Sequence, residues 1–323
     1  MLKTRITELL GIEYPIVAGG MQWLSRAEFA AAVSNAGALG TLTAATHATK
    51  EELVAEIRKT RELTDRPFGV NISMLPDVSH KGLTDIFVEA VIREKVPVVE
   101  TSGRSPEEYV PDLKKAGVKI IHKVPAVRFA LKAQRVGVDA VTIVGYECGG
   151  HPGMDDVTTL AMIPKAARLL TIPVLAGGGV ADARGFLAAL AMGAEGVVMG
   201  TRFMATRECI AHDRFKDWIV NASETDTLMI MRSIRNPLRA MKNSASLKVL
   251  EMEGRGASLE ELLTVIGGKA GKKALFEGDL ENGVISLGQC IGNIDSVLTV
   301  REVVQELAAG AVMNMERLKR IFS

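Results

Sequence analysis

The sequence predicts a (β/α)8 barrel carrying a mostly helical cap inserted after its eighth strand. Three observations predict it. Short apolar runs alternate with helical patterns at a spacing of ~21–33 residues over about 200 residues, the rhythm of parallel strands joined by helices. Near the end of that stretch, residues 173–176 run into Gly177-Gly178-Gly179, and residues 196–199 run into Gly200-Thr201. Two successive strands ending in turns with exposed backbone N–H groups match the place where such barrels hold a phosphate, although a tight turn without a ligand would look the same. After Ala205 the rhythm stops.

Taken in order, residues 12–18 hold the first strand, with Pro15 near its entry. It ends in Gly19-Gly20-Met21, where paired glycines permit either a flat ligand or a tight turn. Residues 25–37 read as a helix, with Ser25 as N-cap, Glu28 at the capping-box spacing and Gly37 as the stop. Residues 39–44 form the second strand and 50–63 a charged amphipathic helix. Residues 68–73 form the third strand, which ends in polar Asn71 and Ser73. A polar loop at 74–81 precedes a helix at 83–93. The fourth strand, 96–100, leads into Thr101-Ser102-Gly103. A helix at 106–117 follows, kinked or restarted at Pro111. The fifth strand is 119–124, then a helix at 127–137, then the sixth strand at 140–144 and a glycine-rich loop at 145–153. A helix at 163–170, with Pro164 in its first turn, leads to the seventh strand. The helix at 181–193 places Phe186, Leu187 and Leu190 on one face. Residues 207–299 read as the cap. A final helical stretch at 300–323, broken at Gly310, packs back and completes the barrel of residues 1–206. The competitor is an open doubly wound sheet, which would carry GxGxxG near its first strand; Gly19-Gly20-Met21 is not that pattern.

Composition narrows the partners. The 323 residues are 47% apolar and 24% charged, with a net charge of +1. That balance makes no electrostatic case for nucleic acid or an anionic membrane. Aromatic residues at 4% do not build a stacking platform for single strands. No run reaches the ~18 apolar residues of a membrane span, and the N-terminus lacks a signal-peptide core. Three scattered cysteines, Cys148, Cys209 and Cys290, fit neither a disulfide framework nor a zinc site. A cytoplasmic protein with a small-molecule substrate is expected; homodimerisation is left open.

Asn71, Ser73, Glu100, Lys123 and His151 lie at or just after strand C-terminal ends, which share one face in a barrel. Lys123 ends an apolar strand, where a cation stabilises charge on a reduced flavin or simply snorkels at the rim. His151 stands in the glycine-rich loop, where it can move a proton near neutral pH or do nothing chemical. His122 precedes Lys123 and faces the helices. His47, His80 and His212 read as surface or loop residues, with His80 a candidate for a loop over the site. Cys148 is a weak candidate nucleophile. Asp155 and Asp156 read as a solvated loop rather than a metal site.

Jointly, GGMQW (19–23), PFGVNIS (67–73), VETSG (99–103), His122-Lys123, ECGGHPGMDD (147–156), AGGGVADARG (176–185) and MGTRFMATREC (199–209) resemble the nitronate monooxygenase superfamily, formerly the 2-nitropropane dioxygenases. The resemblance covers nearly the whole chain. It implies a TIM barrel holding non-covalent FMN against Gly20, Met21, Gln22, Ser73, Lys123, Gly149, Gly177, Gly178, Gly179, Gly200 and Thr201. His151 matches the histidine assigned as the base in nitronate-oxidising relatives. The ECGGHPGMDD and TRFMATREC segments look most like the bacterial NADH:quinone reductase subgroup. This implies NAD(P)H as co-substrate and a quinone as acceptor, with a nitronate as the alternative substrate and an enoyl thioester as a third. Val144 and Tyr146 depart from that subgroup, and GVISLGQCIG (283–292) looks closer to monooxygenase and enoyl-reductase relatives.

Overall fold

The computed structural model describes residues 2–74 and 82–323. Of the expected loop at 74–81, Met74 belongs to the third strand, and residues 75–81, with His80, lie outside the described residues.

Eight parallel strands form one sheet: β1 (Ile16–Ala18), β2 (Gly40–Thr43), β3 (Phe68–Met74), β4 (Val98–Gly103), β5 (Lys119–Val124), β6 (Ala140–Val144), β7 (Val174–Gly177) and β8 (Gly196–Met199). Their spatial order is β1-β8-β7-β6-β5-β4-β3-β2. The ring closes where Leu39 donates to Ile16 O and Ala18 to Leu39 O, each at 2.9 Å. This is a TIM barrel.

Strand period two sorts the interior into layers. Val17, Leu39, Val98, Ile121, Ala140, Leu175 and Val198 make an apolar plug at the strand N-terminal ends, sealed by Ile6 and Leu10 of the Arg5–Leu10 helix. Burying each of the larger aliphatics contributes about 1.5–3 kcal/mol. Two residues further along, the same faces carry Gly19, Thr41, Glu100, Lys123, Thr142, Gly177 and Gly200. The polar and small residues therefore lie together at the C-terminal mouth, above a dry plug.

Several helices start or end where the sequence does not suggest. Ser25 does not cap its helix. That helix, Ala27–Asn35, has Arg26 at its N-cap without a side-chain bond, and the Ser25 hydroxyl instead accepts from Met21 N at 3.0 Å. Pro111 neither kinks nor restarts a longer helix; it sits at the first turn of Val110–Lys115, where its missing N–H costs nothing. The Thr159–Leu169 helix begins before residue 163, so Pro164 lies inside it. The earlier start follows from the Glu147 carboxylate, which accepts from Thr159 N at 3.0 Å and complements the helix N-terminus. The final helix, Val300–Phe322, is not broken at Gly310. A Cβ at Gly310 would lie 2.5 Å from Ala183 Cβ, so the glycine lets this helix press against Ala183–Ala191.

The segment between barrel and final helix is mainly helical: Asp213–Asn221, Ser244–Gly254, Leu259–Ile266 and Gly268–Glu277. It also contains an antiparallel hairpin that the sequence pattern does not announce, β9 (Thr227–Ile230) with β10 (Leu238–Met241). Ile230, Met231, Ala240, Val249, Met252 and Leu262 give it a core of its own. Among the described residues no helix is long and apolar enough to cross a membrane.

Candidate active site

β7 ends at Gly177, and Gly178 (φ +96°) and Gly179 (φ +77°) then turn through the left-handed region. A Cβ at Gly178 would lie 2.8 Å from Cys148 Cβ and 2.9 Å from Cys148 N, so only glycine lets the 145–153 loop sit on this turn. Among the described residues, the N–H groups of Gly178, Gly179, Gly200 and Thr201 find no acceptor. Two of them belong to the start of the short Thr201–Met204 helix. Unpaired amides on two adjacent strand ends are the donor set a phosphate needs. The Thr201 hydroxyl accepts from Gly288 N at 3.0 Å and also hydrogen-bonds the Cys290 thiol. Gly149 packs on the Leu287–Gly288 backbone, where a Cβ would come within 2.8 Å of the Leu287 carbonyl carbon.

Beside this turn lies the polar interior layer. Glu100 Oε2 accepts from Asn71 Nδ2 at 2.7 Å and from Lys123 Nζ at 3.1 Å. Ser73 Oγ lies 3.5 Å from Asn71 Oδ1. Gly19 and Gly20 close the layer from β1. A Cβ at Gly20 would lie 2.5 Å from Asn71 Cβ, and one at Gly19 would be 3.8 Å from Lys123 Nζ. Met21 is buried and lies against Gly200. Gln22 is exposed and reaches the carbonyl of Ala45 at 3.4 Å. The glycines leave backbone bare next to the ammonium and the free amides. That fits a phosphorylated planar cofactor of the FMN type.

His151 stands at the mouth. Its side chain is exposed by surface area but crowded by neighbouring atoms, and the crowding lowers its pKa. Hydrogen bonding to the Pro237 and Asn236 carbonyls acts in the opposite direction and is outweighed. Nδ1 lies 3.0 Å from Pro237 O, so Nδ1 carries the proton and donates it, leaving Nε2 with a free lone pair. The cap fixes this loop. Gly150 N donates to Arg239 O at 3.1 Å, and Arg239 N to Gly150 O at 2.7 Å. The Arg239 guanidinium stacks 4.5 Å over the Tyr146 ring and donates to Tyr146 O at 3.1 Å.

The other sequence candidates separate cleanly. His122 faces outward; its Nδ1 lies 2.8 Å from Thr101 Oγ1, and burial drops its pKa to about 4. His212 caps the Asp213–Asn221 helix by accepting from Arg214 N. His47 lies in a loop but not at the surface: it is 7% exposed, and burial lowers its pKa. Cys148 is buried and its thiol is pushed up to about 12, which removes it as a nucleophile at neutral pH. Asp155 and Asp156 pair with Arg128 and Arg232. Sequence reasoning grouped Asn71 and Glu100 at the strand ends without giving them a task. It missed Arg239 and Pro237, which lie in an unanticipated hairpin far along the chain.

Comparison with known proteins adds four findings. A family model described as nitronate monooxygenase matches residues 3–310. The solved structure of FabK from Thermotoga maritima superposes with a TM-score of 0.93 at 38% identity, covering 99% of this chain and 100% of that one. Among curated proteins, (3aS,4S,5R,7aS)-5-hydroxy-7a-methyl-1-oxo-octahydro-1H-indene-4-carboxyl-CoA dehydrogenase of Rhodococcus jostii is 34% identical over 98% of each chain. A probable nitronate monooxygenase of Staphylococcus aureus is 32% identical over 78% of this chain and 82% of its own.

Proposed function

The chain belongs to the nitronate monooxygenase family and is an oxidoreductase, and from that premise we propose that it uses non-covalent FMN, takes hydride from NAD(P)H and passes two electrons to the Cα=Cβ double bond of an enoyl thioester, which gains a hydride and a proton. One observation carries this choice of substrate. It is degree of likeness: FabK, an enoyl-ACP reductase, is 38% identical at a TM-score of 0.93 and the carboxyl-CoA dehydrogenase 34% identical over 98% of the chain, whereas a nitroalkane oxidase of Streptomyces ansochromogenes that covers 97% of the chain is 25% identical at a TM-score of 0.84, and the probable nitronate monooxygenase is 32% identical over 78%.

Bound FMN supplies hydride chemistry. The chain's own residues bind, orient and move protons. The amides of Gly178, Gly179, Gly200 and Thr201 hold the phosphate, with Gly177 and Gly149 keeping the turn and loop close. Gly20, Met21, Gln22 and Ser73 border the space for the ring. Lys123 sets its ammonium beside Glu100 at the mouth, where it favours added negative charge nearby. His151 presents an unprotonated Nε2 at neutral pH, suited to pick up a proton from solvent and relay it to the carbon beside a thioester carbonyl.

A second reading has its own support: the ECGGHPGMDD and TRFMATREC segments resemble quinone reductases. Quinone reduction needs alignment more than acid–base groups. The deciding experiment is anaerobic. The flavin is bleached with NADH or NADPH, then mixed separately with crotonyl-CoA and with menadione; ethyl nitronate is tried as the reductant in parallel. Rapid reoxidation by crotonyl-CoA supports the thioester. Reoxidation by menadione alone selects the quinone, and bleaching by the nitronate alone selects nitronate oxidation.

A further inference from the structure

Glu100 and Lys123 stand on adjacent strands, and the pair is asymmetric. The Glu100 side chain is 2% exposed and that of Lys123 22%, so the anion lies deeper and the cation opens towards the mouth. Glu100 Oε2 is shared between Asn71 Nδ2 and Lys123 Nζ. Oε1 is buried without a partner, as are the hydroxyls of Thr41, Thr43 and Thr142. An ion pair with an unsatisfied oxygen in a barrel interior is costly, and an apolar pair of similar volume would be cheaper. The arrangement makes sense if the cation is needed at the mouth and the anion is what keeps it there.

We infer that Glu100 is a positioning residue. It anchors the Lys123 ammonium at the mouth and offsets part of its charge, and so sets how strongly Lys123 favours electron gain by the cofactor. Asn71 orients the carboxylate. The inference rests on the FMN reading above and adds a tuning role that acts through another side chain.

The test compares the wild type, Glu100→Gln, Lys123→Met and the double variant, each loaded with FMN, by the midpoint potential of the bound flavin. Glutamine keeps an acceptor for Lys123 while removing the charge. Glu100→Gln is expected to raise the potential by at least about 30 mV, a tenfold shift in a two-electron equilibrium. Lys123→Met is expected to lower it, and the double variant to match Lys123→Met. An unchanged or lowered potential in Glu100→Gln overturns the inference. So does an undiminished shift in the Lys123→Met background, which would make Glu100 an independent charge. Should Glu100→Gln not fold, Glu100→Asp, which draws the carboxylate back from Lys123, must give a smaller rise of the same sign; no rise overturns the proposal. A wild-type protein that takes up no FMN would defeat the cofactor reading instead. The pair is then judged on the flavin-free proteins: thermal unfolding must show the double variant less destabilised than the sum of the singles, and additive losses overturn the coupling.

Discussion

His122 and Lys123 are neighbours in sequence and opposites in role, because adjacent strand residues face opposite sides of the sheet. The outward histidine is buried at 4% exposure with its pKa near 4, so the folded protein resists its protonation. The sign follows from linkage. Above the unfolded value of about 6.5 both states are neutral and stability is unaffected; as pH falls from there to 4 the unfolded state gains the proton first, and stability drops by about 3 kcal/mol. His122→Asn, which can still bond Thr101, should flatten that part of the pH–stability curve, as read by denaturant unfolding at pH 7 and pH 4.5. His151 makes a different demand. Replacing it by Gln, which cannot relay a proton, should lower turnover with the thioester by about 10²-fold or more while flavin reduction by NAD(P)H proceeds at the wild-type rate. Equal loss in both half-reactions would show that the residue supports the fold of the loop rather than proton movement.

Among the secondary elements, the strand–glycine–helix unit at 174–191 carries the proposed phosphate site. Gly178→Ala meets both a left-handed backbone and Cys148 at 2.8 Å. It should cost about 1–3 kcal/mol and weaken FMN binding by at least tenfold, measured by thermal unfolding and flavin fluorescence. Gly185→Ala in the next helix, where a Cβ meets nothing closer than 3.4 Å, should leave binding unchanged. This unit was legible in the sequence because it depends on local backbone freedom. The Glu100–Lys123 pair was not, since it depends on how β4 registers against β5, with Ser102 opposite Lys123 and Glu100 opposite Ile121. Pattern also misjudged Gly310: glycine weakens a helix locally, and here contact with Ala183 outweighs that preference.

For the whole molecule, the cap borders the proposed site. It supplies Pro237 O to His151 across 86 residues, Gly288 N to Thr201, and a Lys272 ammonium 5.1 Å over the Trp23 ring. A ligand seated between barrel and cap binds the folded state alone. FMN at about a hundred times its dissociation constant should therefore stabilise the protein by about 2.7 kcal/mol, seen as a rise of several degrees in Tm. No change in Tm with added FMN, on protein first stripped of flavin, would count against the cofactor reading.

The spacing of apolar runs, the glycine turns after two neighbouring strands and the side on which each strand residue falls were settled by the chain itself. Each depends on backbone geometry within a few residues. Closure of the ring between β1 and β2, the hairpin that grips the His151 loop, and the burial of Glu100 beside Lys123 were decided only in three dimensions. Those features rest on register and on contacts between segments far apart in the chain, whose energies no local pattern encodes.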